Sequence, residues 1–216
     1  MISTLCLCAH RHVSLQTMKA MIDLLGSGGS WSAQVETGDA LICRARSTAA
    51  SEWLRHAPDS DVLVMTDDDF YFTVDGINAL AAVARETRGI AAGVTPLRSG
   101  EYTAIVPLVQ GLDEPWRDPR SPVQEIRWAG GLLAYHRSVF EELVPTLPFL
   151  HAQDRIKPFW PFFQPFPAMS HGQAIYLSED YACHERARAV GKHVYVVPAC
   201  QVTHQAEIDV TTQTMD

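Results

Sequence analysis

No stretch of the 216 residues approaches the roughly 18 consecutive apolar positions that a membrane-crossing helix needs. The start has a brief apolar run but no basic segment before it. His10, Arg11 and His12 stand where a secretory leader would stay apolar, so no leader is expected there. Charge is scarce, at 19% of residues, and its balance is acidic, with a net charge of −8. That balance removes any general attraction to nucleic acid or anionic membrane, while leaving room for a local basic pocket. Cysteine comes to an odd count of five (Cys6, Cys8, Cys43, Cys183 and Cys200), scattered without the spacing of a disulfide framework. Reduced thiols and a cytoplasmic location are the expectation.

With 47% hydrophobic residues the chain can bury a sizeable core, and its length suits one domain over 1–216. Ile2 to Cys8 reads as a first strand. Cys6, Cys8, His10 and His12 share one parity there, but same-face neighbours on a strand lie about 6.5 Å apart, too far for four to reach one zinc ion. Ser14 to Leu25 reads as a helix, with Leu15, Met18, Ile22 and Leu25 at core spacing. Ala33 to Thr37 is a second strand. Asp39 is placed to cap a helix running to about His56, with Ala45, Ala49 and Trp53 on its buried face. Val62 to Met65 is a buried strand, Asp75 to Thr87 a helix and Gly89 to Val94 a strand. This alternation predicts a three-layer α/β fold.

Beyond Pro96 the pattern changes. Thr103 to Val109, Val123 to Trp128 and Leu132 to Tyr135 read as strands, and Arg137 to Leu143 as a short helix. A Pro- and aromatic-rich segment over about 144–176 reads either as a lid or as packing beneath the sheet or between copies. Ser178 with Glu179 and Asp180 opens a last helix closed by Gly191. His193 to Val197 is a strand broken by Pro198, and His204 ends the next extended piece.

The chemistry concentrates at Asp67, Asp68 and Asp69, directly after a buried strand, where ligands bind in open α/β sheets. On an extended segment Asp67 and Asp69 would point one way and Asp68 the other, making the outer pair a seat for a hard divalent cation. A plain acidic turn is the alternative. Arg44 and Arg46 diverge by roughly 200° on a helix, so one suits a diphosphate and the other a surface ion pair. Gly130 and Gly131 permit a close backbone approach.

Four segments together resemble the GT-A glycosyltransferases: ICRARSTAASEWL, VLVMTDDDF with its DxD signature, WAGGLLAYHRSVFEEL, and SEDYACHERARAVGKHVYVVP followed by His204. The resemblance covers most of residues 40–204. It implies an α/β, single Rossmann-like GT-A domain, three-layer with a mixed central sheet. It also implies a nucleoside diphosphate sugar donor and a Mn2+ (or Mg2+) cofactor held by Asp67, Asp69 and His204; a histidine ligand favours manganese. Arg46 would match an arginine often followed by asparagine, where Ser47 stands here. His10 and Arg11 would lie near the nucleobase, Arg46 and Asp67 near the diphosphate and ribose, and Gly130 and Gly131 beside the sugar. Glu179 and Asp180 would face the acceptor.

Two alternatives follow from the same residues. A nucleotidyltransferase would carry a Gly-rich basic loop after its first strand, whereas this chain reads AHRHVS. A non-catalytic nucleotide-sugar-binding module would not need the intact acidic turn, acidic pair and His204. The acceptor stays open among polysaccharide, protein and small molecules, with modified DNA disfavoured by the acidic balance. If the enzyme inverts configuration, Asp180 or Glu179 is the base; if it retains, the pair orients the acceptor.

Overall fold

The computed structural model describes residues 2–9, 12–96, 106–107, 118–151, 157–170 and 172–205. His10 and Arg11 lie outside the described residues, as does most of the strand expected from Thr103 to Val109. Strands β1 (Ile2–Ala9), β2 (Trp31–Thr37) and β3 (Ser60–Asp67) alternate with helices α1 (Leu15–Gly26) and α2 (Ile42–His56). A two-residue strand β4 (Phe70–Tyr71) precedes α3 (Val74–Thr87) and β5 (Ile90–Val94). Then come β6 (Val106–Pro107), β7 (Gln124–Trp128), β8 (Leu133–His136) and α4 (Arg137–Leu143). The chain continues through β9 (Phe166–Ser170), β10 (Gln173–Leu177), α5 (Glu179–Ala189), β11 (Val194–Gln201) and β12 (Thr203–His204).

Eight strands form one sheet in the order β2-β1-β3-β8-β5-β11-β7-β6. β1 runs parallel to β2 and β3, and β5 parallel to β11, while β8 is antiparallel between β3 and β5. The sheet is therefore mixed, as the resemblance implied. Alternating side chains divide the core in two. Leu5, Leu7, Val62 and Val64 face α1 and α3, whereas Cys6, Cys8, Leu63 and Met65 face α2, α4 and α5. Cys6 and Cys8 are thus packed against a helical layer as free, buried thiols. Three helix starts have side-chain caps: Ser14, Thr73 and His136 accept from the backbone N–H of Thr17, Gly76 and Ser138. Among the described residues no helix is long and apolar enough to cross a membrane.

The structure corrects four local expectations. On α1 the buried face is Thr17, Ala20, Met21 and Leu24, and Leu15, Met18, Ile22 and Leu25 point outward. The helix has two apolar stripes, and the one with the smaller side chains lies against the sheet, where it allows closer approach. Asp39 does not cap α2. The cap position is Leu41, and Asp39 accepts instead from the Leu41 N–H at 3.0 Å and from Arg44. Pro198 does not break the last long strand, because β11 continues to Gln201 across a register shift after Val197.

Segment 144–176 is not one irregular loop either. It holds a 3-10 turn (Val144–Thr146) and the β9/β10 hairpin. Phe162 and Phe163 are fully buried against Phe140 and Tyr135, so these aromatics are core rather than lid. The backbone N–H of Phe163 donates to Ser47 Oγ, and that of Trp160 to Ser51 Oγ, which fastens the segment along α2.

Arg137 closes the open end of α2. Its guanidinium donates to the carbonyls of Leu54, Ala57 and Ser60 and stacks over Trp53 at 4.4 Å. These assignments separate two phenylalanine- and leucine-scale truncations sharply. Phe163→Ala should cost roughly 3–5 kcal/mol in urea unfolding, whereas Ile22→Ala in dilute solution should stay within about 0.5 kcal/mol. Equal losses would contradict the burial of the one and the exposure of the other.

Candidate active site

The carboxyl ends of β1, β2, β3 and β5 open on the same edge of the sheet, and so does the amino end of the antiparallel β8. Met65 pairs with Leu133, so Asp67, two residues later, and Gly131, two residues earlier, meet at that edge. Two cavities lie there. The larger, of about 390 Å³, is lined by residues from the ends of β1 to β3, including Cys8, Asp39 and Asp67 to Asp69. The smaller, of about 240 Å³, is lined by Phe70, Thr95, Pro96, Gly130, Gly131 and Tyr181 among others. Arg46, Asp67, Glu179 and His204 line both and form the wall between them.

Arg46 is the hub of that wall. It sits in the second turn of α2 and is only 3% exposed. Its Nη2 donates to Asp67 Oδ1 at 2.8 Å, its Nη1 donates to Asp180, and Glu179 lies 3.8 Å away. Burial alone would lower the pKa of Arg46, but Asp180 and Asp67 outweigh it and hold the guanidinium firmly charged. The sequence reading offered Arg46 as a cation for diphosphate; the structure gives it to the chain's own carboxylates. Arg44, also a candidate for the donor, is held by the chain's own Asp39, which it grips with Nε at 2.7 Å and Nη2 at 3.0 Å.

Asp180 is buried at the start of α5. Desolvation pushes its carboxyl up to about 6; Arg46 pulls the other way, and the nearby Glu179 adds to the rise. The group therefore titrates just below neutrality, in the range useful to a general base. One turn along, His184 is fully buried and its pKa falls to about 3, mainly through desolvation, so it remains neutral.

The acidic turn is held by its backbone. The Asp68 carbonyl accepts from the Ser14 N–H at 2.8 Å and from Thr17 Oγ1 at 3.0 Å, and the Asp69 carbonyl accepts from the Gln205 N–H at 3.0 Å. Residues 68–69 form a turn, so the strand alternation expected for Asp67 to Asp69 stops at Asp67. All three residues line the larger cavity. Asp67 turns to Arg46, and Asp69 turns to His204.

His204 arrives there through a miniature ribbon. β12 pairs antiparallel with β4, setting His204 opposite Phe70, whose ring meets the imidazole edge-on at 4.9 Å. His204 Nδ1 lies 2.9 Å from the Pro96 carbonyl, which can only accept, so Nδ1 carries a proton. In the neutral ring Nε2 then presents a lone pair, 3.2 Å from Asp69 Oδ2. Two acceptors facing at that distance suit a shared cation, and a ring N–H fixed on a backbone carbonyl is how metal-binding histidines are usually oriented. The pair of Asp69 and His204 therefore fits a divalent ion, while Asp67, expected as a third ligand, is turned to Arg46. Among the described residues no group of three or more potential ligands is already closed around a metal position.

The two glycines meet their expectation in part. Gly130 and Gly131 both line the smaller cavity, but the close approach at Gly131 is to the chain itself. With φ at +97°, a Cβ there would fall 2.6 Å from Thr95 Oγ1. Sequence reasoning missed Asp39, Thr95, Pro96 and Tyr181 as site residues. Asp39, Thr95 and Pro96 were detectable in principle, since they follow parallel strands at their carboxyl ends. Tyr181 carried no comparable signal; it stacks on Trp128 at 5.3 Å.

No protein-family model matches the sequence, and no curated protein matches it. Solved structures do match in shape. A197 from STIV is similar over 95% of this chain and 87% of its own, with TM-score 0.59 and 14% identity. GalNAc-T7, solved with UDP, GalNAc and Mn2+, is similar over the whole of this chain, with TM-score 0.50 and 15% identity, and the match spans 45% of that protein. The likeness shows the fold, a Rossmann-like GT-A α/β domain, in agreement with the sequence resemblance.

The raised pKa of Asp180 has a consequence for stability. The folded state holds its proton more tightly than the unfolded chain, so ionisation costs stability that returns as pH falls through about 6. Asp180→Asn should therefore flatten the slope of unfolding free energy between about pH 4 and pH 6. An unchanged slope in urea titrations would show that Asp180 ionises normally.

Proposed function

We propose that the protein is a glycosyltransferase that moves a sugar from a nucleoside diphosphate sugar to an acceptor hydroxyl, with Mn2+ or Mg2+ as cofactor. The observation that carries this reading is the carboxylate–imidazole pair at the wall between the cavities. Asp69 Oδ2 and His204 Nε2 lie 3.2 Å apart where the strand ends open. A cation seated between them would offset the charge of a bound diphosphate. When bound there, the ion would act as a Lewis acid toward the departing diphosphate. The bound UDP and Mn2+ of the GalNAc-T7 structure support the same donor chemistry.

The chain's own residues supply the rest. The larger cavity takes the nucleotide against the ends of β1 to β3, and the smaller takes the sugar beside Gly130 and Gly131 and the acceptor toward Asp180 and Tyr181. The shared wall then lies where the two substrates meet. Arg46 fixes Asp67 on the donor side and Asp180 on the acceptor side with a single planar group. In an inverting reaction Asp180 accepts the proton of the acceptor hydroxyl, and its position near neutrality keeps it ionised at pH 7. In a retaining reaction the departing oxygen takes that proton, and Glu179 with Asp180 orients the acceptor.

Slow donor hydrolysis tests this without knowledge of the acceptor. A panel of nucleoside diphosphate sugars incubated with Mn2+ should release nucleoside diphosphate from at least one donor. Asp69→Ala should reduce that release on the order of 10²-fold with unchanged circular dichroism. Release that is undiminished in the variant, or equal with chelator present, would remove the metal assignment. Turnover of nucleoside triphosphates in place of sugar nucleotides would remove the reaction class.

A further inference from the structure

The outward stripe of α1 is a surface that the proposed reaction does not use. Leu15 is 89% exposed, Ile22 61%, Met18 44% and Leu25 43%. At 100° per residue these four fall within about 80° of one another, on the side of the helix opposite the buried Thr17, Ala20 and Leu24. Four large apolar side chains on one exposed face mark a contact surface rather than ordinary exposure. Their spacing, three, four and three residues, is the seam that a packed helix pair requires.

The spacing also reads the same in both directions about residue 20. Laid antiparallel on a second α1, the stripe sets Leu15 opposite Leu25 and Met18 opposite Ile22, with no apolar side chain left over. The charges agree with that direction. Lys19 and Asp23 pair with each other on one flank of the stripe, with side chains 66% and 44% exposed. In the antiparallel arrangement this flank lies beside the same flank of the partner. Lys19 of each copy then falls within about 3 Å, along the axis, of Asp23 of the other. In a parallel twofold pairing the two flanks fall on opposite sides of the seam, so Lys19 and Asp23 gain no partner across it. A lipid surface is the poorer occupant, since interfacial helices are rich in basic residues and this chain carries a net charge of −8.

We propose that the protein self-associates through an antiparallel, twofold pairing of α1 with α1 of a second copy. The seam is short against the roughly 800 Å² per partner of a standard stable interface, so the dimer is in reversible exchange with monomer. The pairing reaches the site through the start of α1, where Ser14 and Thr17 hold the Asp68 carbonyl.

Sedimentation velocity over a concentration series tests this directly. The wild-type protein should shift from monomer to dimer with rising concentration, and Ile22→Lys should weaken association by at least about tenfold while its thermal unfolding in dilute solution stays unchanged. Orientation is read by mixing Met18→Cys with Ile22→Cys protein under mild oxidation. Cross-linking should be greater in the mixture than in either variant alone. A wild type that is monomeric throughout, a dimer indifferent to Ile22→Lys, or self-cross-linking that exceeds the mixed product would each overturn the proposal. Monomeric protein that co-floats with phosphatidylcholine vesicles would also overturn it, by showing lipid to be the occupant.

Discussion

A guanidinium removed from water cannot stand alone, and the cleft is arranged around that constraint. Arg46 comes from α2, Asp67 from the end of β3, and Asp180 from the start of α5, three elements far apart in sequence. Arg46 and Asp180 would be costly to bury without each other, and removing one partner of a buried ion pair typically costs about 3–5 kcal/mol. The same contact that stabilises the fold also forms the wall between the two cavities. It also accounts for the intermediate titration of Asp180, where burial and the arginine pull in opposite directions.

The rest of the edge follows from strand direction. Parallel strands β1, β2, β3 and β5 deliver their loops to one side, and the insertion of antiparallel β8 brings Gly130 and Gly131 there as well. Closure of the site depends on the weakest-looking piece of the sheet system, the two-residue pairing of β4 with β12. It returns the chain to the acidic turn and seats His204 between Pro96 and Asp69. Packing of Phe70 on the imidazole supports a ribbon that would be too short to persist by backbone hydrogen bonds alone.

Much of this was legible beforehand because it rests on local signals. Periodicity located the helices and buried strands, and the acidic turn stood at a strand end where sheet topology puts ligands. The convergence of Asp69 with His204 was legible only through family resemblance, since no spacing rule links residues so far apart. Helix α1 misled for a physical reason: it has two apolar stripes, and periodicity cannot say which one meets the sheet. Arg46 was recognised as a site residue, but its partners could not be read, because Asp180 approaches it only through the tertiary fold. The buried Phe162 and Phe163 were hidden by their proline-rich surroundings, which resemble a loop in composition while packing as core.

Central to the proposal is a divalent cation between Asp69 and His204 that offsets the charge of a bound diphosphate. Calorimetric titration with nucleoside diphosphate, in Mn2+ and in chelator, measures that requirement most directly. Tight binding with Mn2+, little in chelator, and loss of the difference in His204→Ala is the predicted result. Equal affinity in Mn2+ and chelator would contradict it.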